Sequence, residues 1–155
     1  MEKEIVFGSY RLLVDVEKTR AYYEAHPLPW VTCTCAGCRN FVQAAKLFPA
    51  EVQEFFAQLG LDPEKPAETS WFPGTQTAAS GDAWYHLCGK IVDRIEPPEN
   101  QRFGEWLDIT EQFSAAFGPE CYLLPEDFSR PCVQVDVIFQ LPWVLDEPNP
   151  DVLDT

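Results

Sequence analysis

Three cysteines lie close together within residues 32–41, and their spacing could support metal or thiol chemistry. They are Cys33, Cys35 and Cys38. Three thiolates can bind one tetrahedral zinc ion with bonds of about 2.3 Å each. The Cys35-x-x-Cys38 spacing is typical of zinc knuckles, in which a tight turn, here eased by Gly37, points both sulfurs at the metal. One interpretation of the cluster is therefore a zinc site that takes its fourth ligand from elsewhere in the chain.

The fourth zinc ligand is expected on a strand in the second half of the chain. His86 and Cys88 stand two residues apart in a segment with the alternation of a strand. Successive side chains of a strand point to opposite faces, so these two share one face. His26, which is followed by Pro27, is a further candidate. A zinc ion with three or four protein ligands has no open position for water, so the predicted role is structural.

The same cluster fits two other interpretations. Cys35 and Cys38 at the start of a helix could act as a redox pair or nucleophile, because Arg39, Lys46 and the helix N-terminus would stabilise a thiolate. Residues 25–50 contain no carboxylate, and the absence of nearby negative charge also favours the thiolate form of these cysteines. Alternatively, the cysteines only pack, since a reduced cysteine behaves as a small hydrophobic residue. The sequence leaves all three interpretations open.

Two further cysteines, Cys121 and Cys132, each begin an apolar run and are expected to pack in the core. The N-terminus has neither the basic nor the apolar region of a secretory signal, so we expect a cytoplasmic protein. The cytoplasm keeps thiols reduced, which argues against a framework of disulfides among the six cysteines.

Composition and charge limit the function classes. The chain has 155 residues, 46% of them hydrophobic, which predicts one packed domain over residues 1–145. The formal net charge of −14 disfavours binding to nucleic acid or to anionic membranes. Any protein partner is therefore expected to be basic. Residues 146–155 are acidic and proline-rich and are predicted to be a loosely held tail.

The spacing of apolar residues changes from helical to alternating along the chain. Val52, Phe55, Phe56 and Leu59 form one helical stripe that Gly60 ends. The other elements that the sequence predicts are a strand over 4–14, a helix from Val16 to about Ala25 capped by Asp15, a helix after Asn40, a loop over 62–82, strands over 83–95 and 102–109, a short helix over 110–117, and strands over 121–124 and 132–141. Helices followed by strands predict an α+β domain with a mostly antiparallel sheet.

Several short motifs together resemble a known group of proteins. They are Cys35-x-x-Cys38-Arg-Asn-Phe, Leu-Gly-Leu-Asp-Pro-Glu-Lys-Pro from residue 59, Trp-Tyr-His-Leu-Cys-Gly from residue 84, and Val-Asp-Val-Ile-Phe-Gln-Leu-Pro-Trp-Val-Leu from residue 135. With these motifs the chain resembles a family of small uncharacterised bacterial proteins, mostly from Gram-positive organisms, that shares the motif Cys-x-Cys-x-x-Cys-Arg-Asn-Phe. The resemblance implies a bacterial cytoplasmic origin. It supplies no catalytic residue, because no activity is known for the family.

Two function classes follow from the residues. The first is a non-enzymatic binding or adaptor domain, in which a structural zinc ion at the cysteine cluster would stabilise the fold. The alternative is a thiol enzyme that uses Cys35 or Cys38. The chain contains no glycine-rich phosphate loop, serine elbow or zinc-protease motif, and this favours the binding domain.

Overall fold

The computed structural model describes residues 1–26, 34–94, 101–102 and 106–152. Within these ranges the chain forms three helices and eight strands. The helices are α1 (Val16–Ala25), α2 (Ala36–Ala45) and α3 (Ala50–Leu59). The strands are β1 (Glu2–Phe7), β2 (Tyr10–Asp15), β3 (Glu68–Phe72), β4 (Ala78–Arg94), β5 (Gln101–Arg102), β6 (Trp106–Thr110), β7 (Phe113–Gly118) and β8 (Cys132–Pro142).

The strands form one sheet in the order β1-β2-β4-β8-β7-β6-β5, with β3 also paired to β4. Every pair of named strands is antiparallel. The predicted α+β class with a mostly antiparallel sheet is therefore confirmed.

Capping residues place α1 and α3 where the sequence predicts them. The Asp15 carboxylate accepts a hydrogen bond from the backbone N–H of Lys18 at 3.0 Å and so caps α1. Gly60 ends α3 with a φ of 77°, a left-handed conformation that glycine adopts without a Cβ clash. None of the helices in the described ranges is long and apolar enough to cross a membrane.

The hydrophobic core lies between the helices and one face of the sheet. The predicted stripe of α3 is at most 3% exposed at each of its four residues: Val52, Phe55, Phe56 and Leu59. The sheet contributes alternate residues of β4 and β8, namely Tyr85, Leu87, Val133, Val135, Val137 and Phe139. The rings of Phe56 and Tyr85 lie 5.0 Å apart. We call the opposite side of the sheet, away from α2 and α3, the outer face.

Two local predictions in the N-terminal half are wrong. Residues 4–14 form two strands, because a turn with Gly8 at a φ of 55° reverses the chain after β1. The turn changes the alternation, so that Ile5 is buried and Val6 is 51% exposed. The helix expected after Asn40 begins at Ala36, and Asn40 lies inside it. The Asn40 side chain instead bonds the backbone of residues 142 and 144, a tertiary contact that no local pattern shows.

Three predictions in the second half also differ from the structure. The segment 62–82, expected as a loop, contains β3 and the start of β4, because these two strands pair with each other. Residues 113–118 form β7 instead of a helix, since pairing with β8 and burial of Phe117 override local preference. Residues 121–124, expected as a strand, form no strand and contain a turn at 122–123.

Residues 85–88 of β4 have no strand partner along one edge, and α1 supplies the missing hydrogen bonds. β3 pairs with β4 up to residue 84, and β2 pairs with it from residue 89 onward. Between them, the Tyr23 hydroxyl donates to the carbonyl of His86 and accepts from its N–H, both at 2.9 Å. The Thr19 hydroxyl accepts from the N–H of Cys88 at 3.0 Å. Buried backbone groups need such partners, so α1 replaces a strand here.

The acidic C-terminal segment makes specific contacts as far as residue 151. Asn149 is buried, and its side-chain amide donates to the carbonyl of Thr75 at 2.9 Å. The N–H of Gly74 donates to the carbonyl of Asp151 at 2.7 Å. Arg39 of α2 forms an ion pair with Glu147. Where the sequence predicts a loosely held tail over 146–155, these hydrogen bonds connect residues 146–152 to the domain. Residues 153–155 lie outside the described ranges.

Candidate functional site

The cysteine cluster of the sequence analysis is described in part. Cys33 lies outside the described residues. Cys35 is the N-cap of α2, and its Sγ accepts from the backbone N–H of Cys38 at 3.4 Å. Cys38 is buried, with its Sγ 3.8 Å from the hydroxyl of Thr69 on β3. The two cysteines thus lie at the N-terminal end of a helix, although that helix begins five residues earlier than predicted.

The structure does not bring His86 and Cys88 to the cysteine cluster. The neighbours of these residues on β4, Tyr85 and Leu87, belong to the core that α2 and α3 cover. Side chains alternate along a strand, so His86 and Cys88 lie on the outer face. The sheet therefore separates them from Cys38. They do share one face, as predicted, but it is the face away from α2.

Both histidines contact other side chains or the backbone of the domain. His86 is 3% exposed and packs against Phe128, with ring centres 5.9 Å apart. Burial lowers the pKa of His86, and its Nε2 has no hydrogen-bond partner in the described part of the chain. The Nδ1 of His26 lies 2.7 Å from the carbonyl of Tyr22, and its Nε2 lies 2.9 Å from the carboxylate of Asp127. A metal at His26 would displace one of its two contacts, whereas the unpartnered Nε2 of His86 is buried on the face of the sheet away from Cys38.

Across the described ranges, no group of three or more histidine, cysteine, aspartate or glutamate side chains is arranged to hold a metal ion. The predicted ligand set of Cys35, Cys38, His86 and Cys88 is divided between the two faces of the sheet. Because Cys33 is not among the described residues, this finding concerns the other four ligands only.

The structure brings together two cysteines that the sequence analysis treats separately. The Sγ atoms of Cys121 and Cys132 lie 2.8 Å apart. Cys132 begins β8, and Cys121 follows the end of β7, which pairs with β8. Cys132 is also the cross-strand partner of Cys88. The sequence could have predicted this contact, because the two cysteines lie at the two ends of the connection between β7 and β8. That prediction would first have required residues 113–118 to be identified as a strand.

The outer face carries carboxylates on four of its strands, β3, β4, β8 and β6. Strand register places its side chains in two rows, the first of Glu68, Trp84, Asp136 and Ala116, and the second of Ser70, Asp82, Ile138, Ser114 and Asp108. We call these nine residues the acidic face. None of them is a lysine or an arginine.

Two carboxylates at the centre of the acidic face lack a neutralising partner within it. Burial raises the pKa of Asp136, and the nearby Asp82 raises it further, while a hydrogen bond from Gln134 opposes the shift. The Oδ1 atom of Asp82 is buried, and no hydrogen-bond donor of the described chain reaches it. A buried oxygen of this kind is unfavourable unless a donor or cation complements it.

Aromatic and aliphatic side chains border these carboxylates. Trp84 is partly buried between Glu68 and Asp136, and its Nε1 donates to the carbonyl of Tyr122 at 3.1 Å. Phe72 is 41% exposed and Ile138 is 37% exposed. Exposed apolar groups beside half-buried carboxylates suit a ligand that has both a charged end and an apolar stem.

Comparisons with known proteins add no identification. The chain matches no protein-family model, no curated protein and no solved structure. The resemblance to small bacterial proteins therefore stays a prediction, and the function is argued from the geometry of the described residues.

Proposed function

We propose that this protein is a non-enzymatic binding domain whose acidic face accepts a lysine- or arginine-bearing segment of a partner protein. The observation that carries the proposal is the buried, unpartnered Oδ1 of Asp82 beside Asp136, on a face without a lysine or arginine of its own. A cationic side chain docked over Asp82 and Asp136 would neutralise both carboxylates, and a local movement of the surrounding side chains would let it donate to the buried Oδ1. Hydrogen bonds to charged groups contribute about 1.5–3 kcal/mol each, which is enough to select for a basic ligand.

The residues around the two aspartates support a lysine or arginine better than a metal ion. Lysine and arginine lay their methylene stems along apolar surface while the charged end stays polar. Phe72 and Ile138 offer such a surface, and the indole of Trp84 can also attract a cation to its face. The net charge of −14 would steer a basic partner toward the domain and repel nucleic acid. The resemblance to small bacterial proteins supports placing this binding domain in the cytoplasm.

We expect an amidated ten-residue lysine peptide to bind the wild-type protein by isothermal titration calorimetry. The double substitution Asp82→Asn and Asp136→Asn should weaken this binding at least about tenfold, because it removes both central charges. The matched control is Glu24→Gln with Glu54→Gln, which removes the same charge from exposed helix positions. The control should change the affinity much less. Binding should also weaken as salt rises, since the Debye length is about 8 Å at 0.15 M.

Two results would contradict the binding proposal. One is an equal loss of affinity in both double variants, because that would mean a response to total charge instead of to the acidic face. The other is specific binding of DNA or RNA at physiological salt. Circular dichroism of each variant checks that the substitutions leave the fold intact.

A structural zinc ion at the cysteine cluster is part of the same proposal, with Cys33, Cys35 and Cys38 as ligands. The described geometry that supports it is the position of Cys35 and Cys38 at the start of α2.

We expect about one zinc per chain, by elemental analysis, in protein purified without chelator or nickel. Cys38→Ser should release the metal and lower the melting temperature steeply, as chelators should. Cys88→Ser, on the outer face, should retain it. A metal-free wild type, with Cys38→Ser costing only about 1 kcal/mol, would leave packing as the role of Cys38.

A further inference from the structure

Two cysteine side chains are in contact at the two ends of the β7–β8 connection. The 2.8 Å between the Sγ atoms of Cys121 and Cys132 is only about 0.8 Å longer than a disulfide bond. We propose that Cys121 and Cys132 form a reversible intramolecular disulfide, with a low-molecular-weight disulfide such as oxidised glutathione as the oxidant. This inference does not depend on the proposed binding function.

The antiparallel pairing of β7 and β8 positions the two sulfurs. The ladder runs from Phe113 opposite Phe139 to Gly118 opposite Gln134. Continuing it by a few residues brings the chain after β7 alongside the first residue of β8. The N–H of Tyr122 donates to the side chain of Gln134 at 2.7 Å, which holds the residue after Cys121 against β8. Bond formation therefore needs no rearrangement of the strands.

Accessibility favours this pair over the third cysteine nearby. Cys121 and Cys132 are each partly exposed, whereas Cys88, the cross-strand partner of Cys132, is 4% exposed. The N–H of Cys88 is held by Thr19 of α1, and burial raises the pKa of its thiol. A dissolved disulfide can therefore reach Cys132 more readily than Cys88. Cys121 then lies in position to complete the exchange.

The oxidation proceeds by two thiol–disulfide exchanges. The Cys132 thiolate attacks one sulfur of oxidised glutathione, the S–S bond of the oxidant breaks, and the first glutathione leaves as a thiol with the proton from Cys132. The Cys121 sulfur then gives up its proton and attacks the Cys132 sulfur of the mixed disulfide, and the second glutathione leaves with that proton. Two protein thiols become one disulfide, and one glutathione disulfide becomes two thiols.

We place Cys121 in the second step as part of the proposal, and the direction of its pKa shift agrees with that order. Burial, together with its contact to Cys132, raises the pKa of Cys121 to about 12. Its sulfur is therefore protonated in solution at neutral pH. Attack within the mixed disulfide does not require a high population of thiolate, because the two sulfurs are already in contact.

The disulfide would close residues 121–132 into a loop that covers part of the outer face. This connection holds Phe128 against His86, Asp127 against His26, and the Tyr122 carbonyl against the indole of Trp84. A cross-link between the two ends of this connection would make its detachment from the outer face less favourable, because the detached segment would have fewer accessible conformations. The oxidation state of the pair would thus control how firmly the connection is held.

The test uses the full chain, reduced, freed of reductant and then incubated with oxidised glutathione. We expect peptide mass spectrometry after alkylation under denaturing conditions to find a Cys121–Cys132 cross-link with a loss of two hydrogen atoms, while Cys88 is alkylated. Cys88→Ser should form the same cross-link. Cys121→Ser should stop at a glutathione adduct on Cys132. Hydrogen exchange of the backbone amides in residues 122–130 should slow on oxidation of the wild type and not of Cys121→Ser.

Two outcomes would overturn the proposal. The first is alkylation of both Cys121 and Cys132 in wild-type protein after prolonged exposure to oxidised glutathione. The second is a cross-link from Cys132 to Cys88 in place of Cys121. Both readouts are made on the wild type, so they hold even if a cysteine variant fails to fold.

Discussion

Replacement of Phe55 by alanine should lower the free energy of unfolding by about 3–5 kcal/mol. Phe55 is 3% exposed, and its ring lies within 6.2 Å of the rings of Phe7, Phe56, Phe113 and Phe117. These neighbours come from two strands and from α3 itself, so they cannot all move to fill the space. The substitution therefore removes buried apolar surface and leaves a cavity. Urea denaturation followed by circular dichroism measures the difference.

Gln58→Ala is the matched control for Phe55→Ala. Gln58 lies on the exposed side of α3, where its side-chain amide donates a hydrogen bond to Glu54 at 3.1 Å. Exposed substitutions of this kind change stability by about 0.5 kcal/mol or less. If both variants lost the same stability, α3 would be contributing through helix propensity and not through its packed stripe. That result would contradict the described core.

The substitution Tyr23→Phe should cost about 2–4 kcal/mol, a large effect for the loss of one oxygen atom. The Tyr23 hydroxyl bonds both the N–H and the carbonyl of His86, along the edge of β4 where residues 85–88 have no strand partner. Phenylalanine keeps the ring but leaves these two buried backbone groups without partners. Each unsatisfied buried group costs about 1–3 kcal/mol. Hydrogen exchange of the His86 amide should accelerate along with the loss of stability measured in urea.

The neighbouring tyrosine provides the control for this prediction. The Tyr22 hydroxyl bonds an exposed carboxylate oxygen of Asp127 at 3.2 Å. Water can replace that bond, so Tyr22→Phe should cost less than about 1 kcal/mol. A Tyr23→Phe variant as stable as Tyr22→Phe would show that the gap in β4 is satisfied by another route, and the described role of α1 would be wrong.

Local patterns predicted those elements whose signals lie within a few residues of each other. The stripe of α3, the Asp15 cap, the Gly60 stop and the alternation from Val133 to Phe139 are all of this kind. Helical and strand periodicities arise from backbone geometry over one or two turns, and capping depends on one side chain and the next three residues. These features can be recognised in the sequence without knowledge of any distant contact.

Predictions failed where a distant segment decided the local conformation. Residues 113–118 contain Ser-Ala-Ala and resemble a short helix, but pairing with β8 makes them a strand. Asn40 resembles a helix cap, but it lies inside α2, where its amide bonds the last residue of β8 and residue 144. In both cases hydrogen bonds to residues far along the chain outweigh a weak local preference.

The candidate sites also combine features that depend on local spacing with features that depend on distant contacts. The sequence by itself determined that Cys35 and Cys38 lie near a helix start, that His86 and Cys88 share a strand face, and that the chain is acidic. Only the tertiary structure decided that the sheet separates those two pairs, that Cys121 meets Cys132, and that Asp82 and Asp136 lie together on the outer face. The physical reason is that strand register and face are set by pairing between distant segments. Which side chains meet across a sheet therefore depends on the whole fold, while which side chains share one strand depends only on their spacing.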